Sequence, residues 1–417
     1  MRSLLSTKEQ RQLRLLEILI QKRDWIRLNE LAQTLECTER ILKNDLNELR
    51  TAFPTFKIQS SINGIMLNLD TAASIEDIYI YFLSHSQSFQ LLEYMFFNEG
   101  LPIYRTVEKL HSSNANLYRL GNRITTILSK QFQIELSFTP TSLNGNEIDI
   151  RYFYAQYFSE RYYFLDWPFP DISEKVITEF ADYFYKSTNY PMRFAIYRMY
   201  KLMLAISIHR VKNGHFIDLP NHFYQDYYPV LMNLPDFEDK LAYFSQQLGL
   251  EMTPDIVAQI FISFLQNDIF LDPQQFFDSL NKNDESRYSY QLLSQILERL
   301  SKAFNIKFAN HDELIWHLHN TAYFERQETF STPLLFEQKG ITLEKFKVYF
   351  PDFMESAKQE LAAYRQAIGQ HDYPEQLEHL IYTLFTHAEN ITTQLLANRP
   401  PIKVLIISNF DHALSLT

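Results

Sequence analysis

At 417 residues the chain exceeds one ordinary core, and two to four domains of roughly 100–150 residues each are expected. Thirty-four Phe and 26 Tyr against 8 Gly favour long packed helices over turn-rich sheets or glycine-lined nucleotide loops, and a single cysteine, Cys37, excludes an internal disulfide or a thiolate metal cage and fits a reducing compartment. The net charge of −11 argues against nucleic acid only until it is divided: residues 1–60 carry 11 Lys+Arg against 8 Asp+Glu, net +3, and the other 357 carry 28 against 42, net −14.

Residues 6–24 place Leu13, Leu16 and Ile20 on one stripe with charges opposite, the spacing of an amphipathic helix. A short helix at about 28–35 buries Leu28, Leu31, Ala32 and Leu35. Glu36-Cys37-Thr38 turns the chain, and Thr38 caps a third helix whose apolar positions are Leu42, Leu46, Leu49 and Phe53. Three helices with a tight turn between the second and third follow the helix-turn-helix plan. Pro54 stops the third helix, and residues 56–70 alternate around Asn63-Gly64, a dipeptide suited to a two-residue hairpin turn, so a wing is expected there.

The arrangement recurs. Helices at about 88–98, 102–110 and 114–131, the last with Leu117, Leu120, Ile124 and Ile127 inward, precede a second hairpin expected across 134–151 and tipped by Asn144-Gly145. The next two hundred residues read as helices. Within them Pro235-Asp236-Phe237 and Pro351-Asp352-Phe353 match at an offset of 116, which also sets Arg210 on Arg326, Ile208 on Phe324 and Met203 on His319. A period this long indicates two copies of a whole helical domain, since solenoid repeats are far shorter. After Pro400-Pro401, IKVLIIS has the character of the buried strand that opens a parallel α/β domain, and the chain stops there, so a truncated domain is expected. No stretch approaches the ~20 apolar residues of a membrane span.

With the leucines of the third helix turned inward, Arg40, Lys43, Asn44, Asn47 and Arg50 lie on its outer side, donors suited to phosphates and base edges. Glu39, Asp45 and Glu48 share the helix and would flank the contact or read cytosine; Thr38 and the wing residue Asn63 complete the first candidate set. Residues 101–133 hold Arg105, Lys109, Arg119, Arg123 and Lys130 against Glu108 alone, and Arg119, Asn122, Arg123 and Lys130 are the candidate contacts of the second module. His317 and His319, two apart on a helix, point about 200° away from each other and cannot share a metal, so no metal and no cofactor is expected. No glycine-rich phosphate loop, HExxH or GxSxG is present, and no enzyme is expected.

In residues and in order of modules, LNELAQTLECTERILKNDLNEL at 28–49, the second winged segment, AISIHRVKNG, LIWHLHNTAYFER and the closing IKVLIIS resemble the Mga/AtxA-like virulence and carbohydrate-linked transcription regulators of Gram-positive bacteria. The resemblance implies a mainly α, multidomain chain: winged helix-turn-helix domains at 1–72 and 73–151, helical bundles similar to phosphotransferase-system regulatory domains (PRDs) at 152–272 and 273–398, and the start of a domain like the system's enzyme IIB component at 399–417. It also implies that phosphorylated histidines report sugar uptake. The family pattern HIxxAIxRxxxG falls on Met203 to Gly214, with Met203 at the acceptor position and His209 one residue before Arg210; in the second copy His319 stands on the acceptor position, seven before Arg326. The second acceptor of each copy falls near Phe264 and Leu384, neither phosphorylatable, which leaves His319 first, then His317 and His209.

The expected function is that of a cytoplasmic transcription regulator, an activator, that binds double-stranded DNA as a homodimer or higher oligomer, has phosphotransferase phosphocarrier proteins as partners and does not associate with membranes. The alternatives are a sensor acting through protein contacts and an RNA-binding antiterminator; the latter would need a small β-rich module where 1–53 reads as helical.

Overall fold

The structure is a computed structural model that describes residues 1–71, 73–163, 166–185, 194–218, 234–261, 273–324, 338–370 and 374–398, together with Met232, Phe270, Leu334 and Leu335. It comprises two compact units, Met1–Ile269 with Gln327–Gln338, and Phe270–Arg326 with Lys339–Thr417. Among the described residues helices dominate, with two small antiparallel hairpins.

Unit 1 opens with a 3-10 turn, Arg2–Leu4, and helix α1, Thr7–Lys22. Ser6 caps α1 in a reciprocal box with Glu9. Leu13 and Leu16 are buried as expected, Ile20 only partly, while Leu15 and Leu19 are buried as well, because strand β2 (Gly64–Leu69) and helix α4 (Glu76–His85) pack on α1. Helices α2 (Leu28–Thr34) and α3 (Glu39–Ala52) follow. The Thr38 hydroxyl accepts from the Ile41 N–H at 3.3 Å, which is the expected cap.

Strand β1 (Phe56–Ser61) pairs with β2 from Phe56↔Leu69 to Ser61↔Gly64. The turn is therefore Ile62-Asn63, one residue earlier than expected. Gly64 begins β2 at φ 125°, and a Cβ there would lie 2.0 Å from the Ile26 carbonyl oxygen. That close approach lets Ile26 and Ile65 exchange two backbone hydrogen bonds of 2.9 and 2.8 Å, an isolated bridge on the edge of the wing.

The second module is built from α5 (Gln87–Phe97), α6 (Ile103–Lys109), α7 (Asn114–Gln131), β3 (Ile134–Phe138) and β4 (Thr141–Gly145). Its hairpin turns at Thr139-Pro140; Asn144-Gly145, the expected tip, ends β4, where Gly145 pairs with Ile134. The second strand does not continue to residue 151 either. Asn146 accepts from the Ile148 and Asp149 N–H groups and starts helix α8, Glu147–Tyr162, with two acids in its first turn. The expected domain boundary at 151/152 lies within this helix. Phe96 packs on α8 through Tyr154 and Phe158, with ring centroids 4.4 and 5.2 Å apart, so α8 is the centre of the unit.

The two helix-turn-helix segments coincide at an offset of 75 residues. Leu35, Glu36 and Cys37 make the same three turn hydrogen bonds as Leu110, His111 and Ser112, and both Glu36 and His111 are left-handed, at φ 50° and 47°. Ser113 caps α7 as Thr38 caps α3.

The rest of unit 1 holds α9 (Glu174–Tyr185), α10 (Phe194–Lys212), α11 (Phe237–Leu248) and α12 (Pro254–Phe261), paired α9 with α10, α10 with α12 and α9 with α11. Unit 2 contains α13 (Pro273–Ser279), α14 (Asp284–Phe304), α15 (His311–Phe324), α16 (Gln338–Tyr349), α17 (Pro351–Ala367), α18 (Pro374–His387) and α19 (Ile391–Ala397). Moved by 116 residues, α9 to α12 fall on α14, α15, α17 and α18, which pair in the same way: α14 with α15, α15 with α18, α14 with α17. Arg326, Phe264 and the 399–417 strand lie outside the described residues. Among the described residues no helix is long and apolar enough to cross a membrane.

Candidate nucleic-acid interface

Leu42, Leu46 and Leu49 hold one side of α3 in the core. At about 100° per residue, Arg40, Asn44, Asn47 and Thr51 share an arc of about 60° on the opposite side, with Lys43 next to it. All five are exposed, and Arg40 and Lys43 have no ion-pair partner among the described residues.

Two of the three acids of α3 turn from this face to α1. Asp45 is 2% exposed and receives Arg11 Nε at 2.6 Å and Gln12 Nε2 at 3.2 Å, so it neither flanks a groove contact nor reads cytosine. Glu48 pairs with Lys8 at 2.6 Å and accepts from Gln12 at 2.8 Å. The hydrogen bonds from Lys8 and Gln12 hold its carboxyl below the ordinary value. Two of the three negative charges are thus neutralised by α1, and only Glu39 remains, in the first turn where the helix dipole favours an acid.

Two expected contacts are struts. Arg50 is half-buried; it donates to the Ile58 carbonyl at 3.0 Å, to Asn47 at 3.1 Å and to Ser60, bracing α3 on the wing. Arg123 is exposed but donates to the Leu4 and Ser3 carbonyls, seating α7 on the 3-10 turn. The offset of 75 explains this difference in role: Arg123 occupies the place of Glu48, which faces its own protein, whereas Arg119 and Asn122 occupy the places of Asn44 and Asn47. Arg119, Asn122 and Lys130 are exposed, Arg119 lying 2.9 Å from Asn116. Asn63 is exposed at the wing turn beside a fully exposed Ile62, which sequence reasoning passes over.

The histidines divide by burial. His319, the leading phosphorylation candidate, is fully buried: its Nδ1 lies 2.8 Å from Ser289 Oγ, and Tyr323 and Phe276 pack on its ring at 4.3 and 4.6 Å. A phosphoryl donor cannot reach it without opening the bundle. Leu384 is buried too, but His387, three residues on and missed from sequence, packs on the largely buried His317 at 4.0 Å, and Glu313 lies 3.6 Å from His317 Nε2. His209 stacks on Phe96 at 4.6 Å with Nε2 3.0 Å from the Phe96 carbonyl, and burial lowers its pKa against that carbonyl's pull.

Between the second module and the helices beyond lies a buried charge cluster. Arg210 donates through Nε and Nη2 to Glu147, the shortest contact 2.6 Å, and through Nη1 to Glu99 at 2.7 Å. Arg151 donates to Glu147 at 2.9 Å and to the Gln259 carbonyl at 2.6 Å. Glu99 also accepts from the Leu143 N–H of the second wing and faces His215 Nε2 at 2.6 Å. Burial alone would raise the Glu99 carboxyl, but the His215 hydrogen bond, the Arg210 charge and the Leu143 amide together hold it below its ordinary value. Sequence reasoning singles out Arg210 only as part of a motif and misses both carboxylates.

Two winged helix-turn-helix modules with exposed recognition faces, followed by helical bundles, define a DNA-binding transcription regulator. Residues 6–65 match the helix-turn-helix domain of the M protein trans-acting positive regulator (MGA), residues 71–158 the Mga helix-turn-helix domain, and residues 173–391 the PRD domain of the same regulator. The chain belongs to this Mga family, whose members are transcription regulators and not enzymes. It is 40% identical over 413 residues, 99% of its own length and 84% of the other's, to a Streptococcus pneumoniae serotype 4 protein described as a trans-acting regulator. It is 21% identical over 376 residues to the capsule synthesis positive regulator AcpB of Bacillus anthracis, covering 85% of this chain and 76% of that one. The anthrax toxin expression trans-acting positive regulator of the same organism is 25% identical over 215 residues, 50% of this chain and 44% of that one.

Proposed function

We propose that this chain is a cytoplasmic activator that lays α3 in a DNA major groove, with Arg40, Lys43, Asn44 and Asn47 on phosphates and base edges and Ile62-Asn63 of the wing against the neighbouring backbone. The observation that carries this reading is that Arg11 and Lys8 of α1 pair with Asp45 and Glu48, which leaves Glu39 as the one acid of α3 beside Arg40, Lys43, Asn44 and Asn47. Arg119, Asn122 and Lys130 serve the second module in the same sense. A homodimer doubles the contacted site.

Replacing Arg40 and Lys43 together by Ala is expected to weaken binding to promoter fragments and to flatten the salt dependence, by about 0.9 in log–log slope for each phosphate no longer neutralised. Anisotropy titrations between low and moderate salt check this; an unchanged slope places the DNA elsewhere.

Of the histidine candidates, His317 is the less enclosed, with 13% of its side chain exposed against the sealed ring of His319, so a phosphotransferase phosphocarrier protein needs less opening of the bundle to reach it. A phosphoryl group there adds negative charge beside Glu313 and repels its carboxylate. Mass-spectrometric mapping after incubation with the phosphocarrier is expected to find phosphohistidine at His317; label only at other positions contradicts this assignment.

A further inference from the structure

Unit 1 includes one short stretch drawn from far along the chain. Leu334 and Leu335 are each 1% exposed and belong to its hydrophobic core. Their main chain is gripped as well. The Leu334 N–H donates to Glu160 Oε1 at 2.5 Å, the Leu335 N–H donates to Oε2 at 3.0 Å, and the Leu335 carbonyl accepts from Arg2 Nη2 at 2.9 Å. Arg2 is in turn held by Glu17 at 2.8 and 2.5 Å, and the Tyr79 hydroxyl donates to the same carboxylate at 2.9 Å.

Two consecutive amides converging on one carboxylate, an arginine on the following carbonyl and two buried leucines are a means of holding a bent peptide: main-chain bonds fix the bend and the apolar core takes its side chains. The bonds to Glu160 and from Arg2 are charge-assisted, the stronger kind.

We propose that the surface carrying Arg2 and Glu160 is a docking site for a bent Leu-Leu segment, filled by this chain's own Leu334-Leu335, and that its occupancy fixes one winged module against the other. Arg2 stands in the 3-10 turn whose Leu4 carbonyl receives both Arg123 of α7 and Ser88 Oγ, the latter at 2.7 Å. The turn continues into α1, whose Lys8, Arg11 and Gln12 hold α3. A segment seated on Arg2 therefore steadies both recognition helices.

The test uses the full chain carrying Leu334→Ala and Leu335→Ala and a fluorescent peptide of residues 327–338, QETFSTPLLFEQ. The peptide is expected to bind the emptied variant, to bind the wild type at least tenfold more weakly because the site is filled, and to lose at least tenfold in affinity when Glu160→Ala is added. Absence of binding to the emptied variant, equal binding to wild type and variant, or indifference to Glu160→Ala overturns the proposal. If the double variant does not fold, hydrogen exchange on the single Glu160→Ala chain decides: the amides of Leu334 and Leu335 and the 2–5 turn are expected to exchange at least tenfold faster, and unchanged protection overturns it. Neither readout involves DNA, so the groove-reading proposal can fail without affecting this one.

Discussion

Arg210→Ala is expected to lower the stability of the chain by about 3–5 kcal/mol, the range for removing one partner from a buried, hydrogen-bonded ion pair. Arg210 is fully buried and shared by two carboxylates, Glu147 and Glu99, that are themselves nearly sealed at 11% side-chain exposure. Without it, those charges keep only Arg151 and His215 among the described residues. Arg210→Lys should not rescue, because an ammonium lacks the planar fork that spans both acids. The pH dependence has a definite sign. Glu99 is held below its ordinary pKa, so its contribution is present at neutral pH and is lost as pH falls through its folded value; the gap between wild type and variant should narrow on acidification. Urea unfolding at neutral and acidic pH measures this. A loss under ~1 kcal/mol at neutral pH, or a gap that widens in acid, contradicts the account.

Gly64→Ala should remove the first wing. At φ 125° an alanine is strained, and its Cβ would meet backbone, the Ile26 carbonyl, which cannot swing aside as a flexible side chain could. Relief requires breaking the Ile26–Ile65 hydrogen-bond pair, and strain plus two broken bonds come to roughly 2–4 kcal/mol. The signature is local: amide exchange at Ile26 and Ile65 rises, while the helices of unit 2 keep their protection. Unchanged exchange at these two amides would show that the close approach is not needed.

What can be read from sequence is what periodicity reports. The leucine spacing of α3, the Thr38 cap and the recurrence of a three-helix unit before a hairpin all follow from local chemistry, and all are present. Both hairpin turns fall elsewhere than Asn-Gly chemistry places them, because Gly64 and Gly145 are needed where backbone crosses backbone, a tertiary demand invisible in a single strand. Helix α4 escapes a periodicity reading because EDIYIYFLSH is apolar on several sides and shows no clean stripe. Helical angle alone assigns Asp45, Arg50 and Arg123 to solvent; groups on neighbouring elements meet them, and angle cannot register that. His319 stands out by its place in a motif, and only packing shows Ser289, Tyr323 and Phe276 closing over it.

If the outer face of α3 reads duplex DNA as proposed, the sites the chain occupies depend on Arg40 and Lys43. Footprinting of genomic fragments selected by the purified chain tests it most directly, run side by side with the Arg40→Ala, Lys43→Ala variant. Discrete protected sites are expected for the wild type and should vanish or weaken at least tenfold in the variant, while its fold, judged by circular dichroism, is unchanged. The same protected bases at the same protein concentration in both would contradict it.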